Sequence, residues 1–123
     1  MQEKKLMLPM KKKWFDMILS GEKKEEYRLM TPHWVSRICN ICGFDKLEYT
    51  RKVVALGLDI ITVDMKVPFR ICFVNGYSKD SPRFYGIVRR YDMRAIAHHP
   101  EWGEDAYDGQ PHFAFSIDSV QLP

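Results

Sequence analysis

The sequence predicts an α+β fold, a small β-barrel with flanking helices, and three observations carry that expectation. The periodicity runs strand, helix, charged strand, helix, then several strands. The late strands have few helices between them, which favours an antiparallel, closed sheet over a doubly wound one. The length of 123 residues suits a single domain with one core and leaves no room for two ordinary domains.

Each element has its own local signal. In "KKLMLPM", Leu6 and Leu8 alternate with Lys5 and Met7, a first strand that Pro9 ends because it has no N–H to give a ladder. In "MKKKWFDMILSG", Met10, Trp14 and Ile18 recur at helical spacing with Phe15 and Leu19 beside them. The spacing predicts a helix over about 10–20 with Gly21 as its left-handed stop. The period then becomes two. Glu25, Tyr27 and Leu29 share one face of a strand, and Lys24, Glu26 and Arg28 the other. Thr31 and Pro32 open a second helix whose apolar face is Trp34, Val35, Ile38 and Cys42, stopped by Gly43. From Phe44 to Lys66 the pattern is mixed: "LEYTRKVVALGL" fits a helix and "DIITVDMKV" a strand. Phe69, Ile71 and Phe73 mark the next strand, with Asn75-Gly76 as a turn. "FYGIVRRYDMRAIA" reads as a strand running into a bend, "HHPEWGEDAYDGQP" as a polar loop, and "HFAFSIDSVQL" as a closing strand.

Composition narrows the class. An apolar fraction of 46% and a charged fraction of 28% are those of a soluble globular protein. A net charge of +3 permits nucleic-acid binding without demanding it. Three cysteines and no signal peptide point to reduced thiols in a cytoplasm. No apolar run approaches the length of a bilayer span, so no membrane partner is expected.

The segment "GEKKEEYR" holds the candidate chemistry. Glu26 and Arg28 are two apart on a strand and leave the same face, and Lys23 sits at the bend and can reach over that face. Two cations around a carboxylate can hold a phosphate or a carbonyl oxygen. The carboxylate can accept from a base amino group or act as a general base. The plainer reading is a solvated ion-pair ladder worth under about 1 kcal/mol.

The helix-to-strand unit "KWFDMILSGEKKEEYR", with its G-x-K-x-x-E-x-R spacing at Gly21, Lys23, Glu26 and Arg28, and the late "NGYSKDSP" resemble the ASCH domain of the PUA-like barrel superfamily. The closing segment resembles the end of small ASCH proteins, many of them phage or prophage encoded. The likeness covers about 1–34 and 68–123; about 35–67 reads as an insertion. It implies a small barrel with a cleft beside the motif and RNA or other nucleic-acid binding; no cofactor is expected. Some ASCH members are described as amidohydrolases of N4-acylated cytidine or as ribonucleases. In the amidohydrolases a lysine and a threonine of this motif, with a distant glutamate, carry the reaction. Lys23 matches the lysine, while Glu26 stands at the threonine position, so the hydroxyl nucleophile is lacking.

Tyr77, Trp34 and Trp102 are the aromatics placed to stack on a base; Tyr77 is foremost because it follows a turn, with Ser78 and Lys79 beside it for phosphate. Packing is the competing reading for all three rings. Cys39 and Cys42 form a C-x-x-C pair, but a structural zinc needs four ligands and no second pair exists, so buried thiols and no metal are expected. His98, His99 and Glu101 read as a polar loop, and Arg89, Arg90 and Arg94 as a solvated face. The expected function is RNA or nucleotide binding with Lys23, Glu26, Arg28, Tyr77, Ser78 and Lys79 as ligand contacts. The alternatives are a hydrolase of a modified nucleoside or of RNA with Lys23 and Glu26 catalytic, and a protein-interaction module built on "VVALGLDIITV".

Overall fold

The computed structural model describes residues 5–45, 60–103 and 109–123. Its elements are β1 (Lys5–Pro9), α1 (Lys12–Ser20), β2 (Glu25–Leu29), α2 (Pro32–Cys42), β3 (Ile61–Val74), β4 (Arg83–Arg94), a 3-10 turn at Pro100–Trp102, and β5 (His112–Gln121). The strands form one curled, five-stranded sheet in the order β1-β3-β4-β5-β2, with the two helices packed on it, so the class is α+β.

Two expectations about the sheet need correction. It is not wholly antiparallel: β1 pairs with β3 in parallel, Leu6 opposite Ile71 and Leu8 opposite Phe73. Among the described residues α1, β2 and α2 lie between these strands in the chain, and a crossover of that length lets the second strand run in the same direction. Nor, among the described residues, does a backbone ladder close the sheet: β1 and β2 end the strand order on opposite sides. The curl brings these edges close enough for a side chain to span them. Arg28 on β2 donates from Nη2 to the Pro9 carbonyl on β1 at 3.2 Å.

Local sequence explains the helices. In α1, Gly21 takes φ 87° and donates its N–H to the Ile18 carbonyl at 3.1 Å, ending the helix where only glycine adopts that angle cheaply. Phe15 and Ile18 are its buried face; Leu19, expected there, is exposed. In α2, the Thr31 hydroxyl accepts from the Trp34 N–H, Pro32 takes the first turn, and Gly43 supplies the stop. Val35, Ile38 and Cys39 of α2 belong to the core.

The segment expected as an insertion divides in three. Residues 35–42 continue α2 into the core, residues 61–67 run into β3, and residues 46–59, with most of "VVALGLDIITV", lie outside the described residues. The β3–β4 register breaks between Asp64 opposite Arg90 and Phe69 opposite Val88. Extra residues bulge out on β3 there, around Pro68, which has no N–H for the ladder, and Val67 is left exposed.

The core lies on the concave face. Phe69, Ile71, Phe73, Tyr91, Met93, Phe113 and Phe115 are buried there with Leu6 and Leu8. Gly86 on β4 makes room for Phe73, whose ring edge would lie 2.7 Å from any added Cβ. No helix among the described residues is long and apolar enough to cross a membrane.

Candidate functional site

The β2–β5 register sets which way the charges of β2 point. Glu26 stands opposite Phe115 and Arg28 opposite Phe113, so both carry charge on the face that builds the core. Glu25 and Tyr27 point to the other face, opposite Ser116 and Ala114. The strand therefore supports two separate charged clusters, one on each side.

On the inner side, Lys23 is placed by the turn that follows α1. Its backbone N–H bonds the Met17 carbonyl at 2.9 Å, which folds the turn back under the helix. Lys23 is 2% exposed, and its ammonium lies 4.6 Å from the Trp14 ring and 5.2 Å from the Tyr27 ring. It donates to Glu26 Oε1 at 3.4 Å and also to the Trp102 carbonyl. Arg28 approaches the same Glu26 oxygen, Nη1 to Oε1 at 3.2 Å, and donates to the Tyr27 carbonyl at 2.6 Å. Its guanidinium lies over the Trp34 ring at 5.6 Å. The structure thus brings Lys23, Glu26 and Arg28 together on one oxygen.

The other oxygen of that carboxylate behaves differently. Glu26 is 3% exposed, and its Oε1 also accepts from the Tyr27 N–H at 2.7 Å. Its Oε2 is buried and accepts no hydrogen bond among the described residues. A buried carboxylate oxygen without a donor is costly. Glu26 borders a hollow of about 150 Å³ lined by Pro9, Met10, Lys11, Trp14 and Gly103 as well as Lys23 and Arg28. This site lies where the two sheet edges approach and where α1 begins.

On the outer side, Arg94 grips Glu25 through both nitrogens, Nη1 to Oε1 at 2.8 Å and Nη2 to Oε2 at 2.9 Å. It also donates to Asp92 Oδ2, from Nε at 2.9 Å and from Nη2 at 2.6 Å. The Tyr27 hydroxyl donates to Glu25 at 2.8 Å. Arg94 was expected on a solvated face, yet it is 8% exposed; Glu25 across the sheet gives it a buried partner. Arg89 and Arg90 do lie at the surface, paired with Asp118 and Asp64. Burial pushes the Glu25 carboxyl up, but the bonds from Arg94 and Tyr27 and the Arg94 charge pull harder, so its pKa lies below the ordinary value. Burial, followed by the Glu25 charge and its accepted bond, holds the Tyr27 phenol far above its usual range.

Beside this cluster lies an open basin of about 620 Å³, bordered by Glu25, Arg89, Arg90, His99, Trp102 and Asp118. His99 stacks on Trp102 with centroids 4.1 Å apart, and its Nδ1 lies 3.2 Å from Glu101. Because the Trp102 carbonyl meets Lys23 and Gly103 lines the inner hollow, the Pro100–Trp102 turn is the wall between the two recesses.

The remaining expected contacts lie elsewhere. Tyr77, Ser78 and Lys79 form the β3–β4 turn, and they line neither recess. Tyr77 is 95% exposed. Ser78 is used within the turn: its hydroxyl accepts from the Asp80 N–H at 3.1 Å, and its N–H donates to Ser81 Oγ at 3.0 Å. Cys42 lies 3.6 Å from the Tyr91 hydroxyl and 3.8 Å from Met65 sulfur, while Cys39 is buried in the core. Among the described residues no three metal-ligating side chains converge. Sequence reasoning missed Trp14, which its helical spacing assigns to packing, and the carbonyls of Pro9 and Trp102, which carry no side-chain signal.

Compared with known proteins, the chain matches no family model, no curated protein and no solved structure.

Proposed function

We propose that this chain binds RNA or a nucleotide by taking one base edge into the hollow between β1, α1 and β2. The observation behind this reading is Glu26, which lines that hollow and whose Oε2 is buried and accepts no hydrogen bond among the described residues. A base amino group supplies the missing N–H, and a carbonyl or ring nitrogen beside it faces the Lys23 and Arg28 cations. The hollow is small: drug-sized ligands occupy about 300–1,000 Å³, against about 150 Å³ here. It suits one ring, with sugar and phosphate left outside. Trp14 lines the hollow, with the Lys23 and Lys13 ammonium groups each 4.6 Å from its ring. The likeness of the Gly21, Lys23, Glu26, Arg28 spacing to the ASCH signature supports the same reading from the sequence side.

The test is Glu26→Gln. The glutamine oxygen keeps accepting from the Tyr27 N–H, so its NH₂ group takes the place of Oε2 and opposes a base amino group donor to donor. Fluorescence anisotropy with short oligoadenylate, oligocytidylate and oligouridylate should show wild type favouring the first two. The variant should lose that preference. An unchanged preference, or equal wild-type affinity for all three, overturns the reading.

A hydrolytic reading draws on the same oxygen. A buried carboxylate with one uncommitted oxygen can take a proton from water, while Lys23 polarises a carbonyl. It predicts turnover of an acylated nucleoside or of RNA that Glu26→Gln abolishes; turnover that survives removes Glu26 from the mechanism.

A further inference from the structure

We propose that the open outer basin is a second nucleotide subsite, so that the ligand is a strand of two or more nucleotides and not a single one. The proposal rests on the base-binding reading above and adds the length of the ligand and the path it takes.

Size separates the two recesses. The basin, at about 620 Å³, falls within the range of about 300–1,000 Å³ that small ligands occupy, and the inner hollow, at about 150 Å³, does not. The sugar and phosphate of a base held in the hollow lie outside it, and the basin has room for the next nucleotide.

An irregularity in the sheet builds the basin's floor. Val88 pairs with Ile117 and Arg90 with Ser116, so Arg89 is an extra residue on β4; Ile87 pairs with Ser119, so Asp118 is an extra residue on β5. Strict alternation from Val88 would turn Tyr91 out of the core. With the bulge, Val88 and Tyr91 both stay buried, and the consecutive Arg89 and Arg90 both line the outer basin. Bulges re-aim side chains in this way and recur beside functional sites. The partners of the two arginines, Asp118 at 3.2 Å and Asp64 at 2.7 Å, are themselves more than half exposed. Exposed ion pairs hold weakly, whereas a guanidinium fork takes a phosphate through two parallel N–H bonds.

An aromatic stack borders the same basin. His99 and Trp102 lie 19° from parallel, and among the described residues neither ring makes another ring contact. A base can extend such a stack. The two recesses also alternate along the same short segments. Lys23 and Glu26 line the hollow, and Lys24 and Glu25 the basin; Gly103 lines the hollow, and Trp102 the basin. A strand with one base in the hollow crosses this divide to lay its phosphate on the arginines and its next base on the stack.

The experiment is isothermal titration of the full chain with adenosine, the dinucleoside monophosphate ApA and an oligoglutamate peptide. ApA should bind about tenfold or more tightly than adenosine, from the phosphate bonds and the second stacked base. Arg89→Gln combined with Arg90→Gln should remove most of that gain, and Trp102→Leu should cut it from the stacking side. Glu26→Gln should weaken both ligands and keep their ratio. The arginines are exposed, and thermal melts check that the variants fold. Equal affinity for adenosine and ApA, or a gain that survives both the arginine and the tryptophan variants, overturns the basin subsite and leaves the inner hollow standing. ApA binding that needs the arginines but not Glu26 upholds the basin and overturns the hollow. Oligoglutamate binding as tight as that of ApA marks a general anion surface and overturns the assignment to a nucleic-acid strand. Absence of binding by all three ligands overturns both readings.

Discussion

Replacing Arg94 with methionine tests the outer charge cluster. Its guanidinium makes four charge-assisted bonds, two to Glu25 and two to Asp92. Methionine fills much of the same volume and supplies no donor. Asp92 keeps the Thr62 hydroxyl at 2.7 Å, and Glu25 keeps the Tyr27 hydroxyl. What is lost is, among the described residues, the one formal positive charge paired with Glu25 apart from His99, whose Nε2 stands 3.9 Å away and is charged only when protonated. Removing one partner of a buried pair costs about 3–5 kcal/mol, mostly because the other charge stays buried. Against a total stability of about 5–15 kcal/mol for a domain, that is a large share. Urea denaturation followed by tryptophan fluorescence measures it. The double variant Arg94→Met with Glu25→Gln should be more stable than Arg94→Met alone, because the orphaned charge is gone. A single-variant cost under about 1 kcal/mol, as for an exposed pair, would refute the reasoning.

The same cluster has a pH signature with a definite sign. Glu25 has a folded pKa lowered from 4.5. Its contribution is therefore complete above that value and is lost as pH falls through the folded pKa. In Arg94→Met the burial remains, while the largest lowering influences are gone, so protonating Glu25 relieves the fold. The stability gap between wild type and variant should narrow as pH falls from about 6 to about 4. A gap that is constant over that interval removes Glu25 from the account.

Three further outcomes follow from the geometry. Tyr27 should stay protonated through an alkaline absorbance titration until denaturant is added, and Tyr27→Phe should shrink that late step by one phenol, since burial and then Glu25 hold its pKa up. Gly86→Ala should cost about 1–3 kcal/mol by overpacking, because its Cβ would meet the Phe73 ring at 2.7 Å and Ile117 Cγ2 at 3.2 Å; an unchanged melting temperature contradicts that packing. His112 has a pKa lowered from 6.5, chiefly by burial, so the fold favours its neutral form and should lose stability as pH falls below that value. An NMR titration with a His112 midpoint above 6.5 reverses the sign.

Period and punctuation made most of the elements legible. The Leu6/Leu8 alternation, the Gly21 and Gly43 stops, the Thr31-Pro32 opening and the Phe69/Ile71/Phe73 stripe all mark elements found in the structure. Sheet order was less legible. A parallel β1–β3 pair depends on which strand meets which, and strand periodicity is the same for either direction. The one-face placement of Glu26 and Arg28 followed from period two, but the face itself did not. Opposite-facing residues of β2 are buried on both sides, Tyr27 and Glu25 on one and Glu26 on the other. Arg94 was misjudged because its partner, Glu25, is remote in sequence and neighbours it only through β5. Tyr77 drew notice because a turn projects side chains, but turn chemistry says nothing about what the turn faces.

The placement of β1 and β2 at opposite margins of the sheet has a consequence for how the protein is made. Both come from the first thirty residues, yet β1 waits for Arg70 to Val74 and β2 for His112 to Ser116. On a ribosome the early segment emerges with neither neighbour present, and Glu26 and Arg28 find their opposite numbers, Phe115 and Phe113, only when the last strand is out. Pairings this remote in sequence slow folding and lengthen the exposure of unpaired strands. Shortening the chain by its final strand should therefore unmake the inner hollow, although no residue lining it would have been removed.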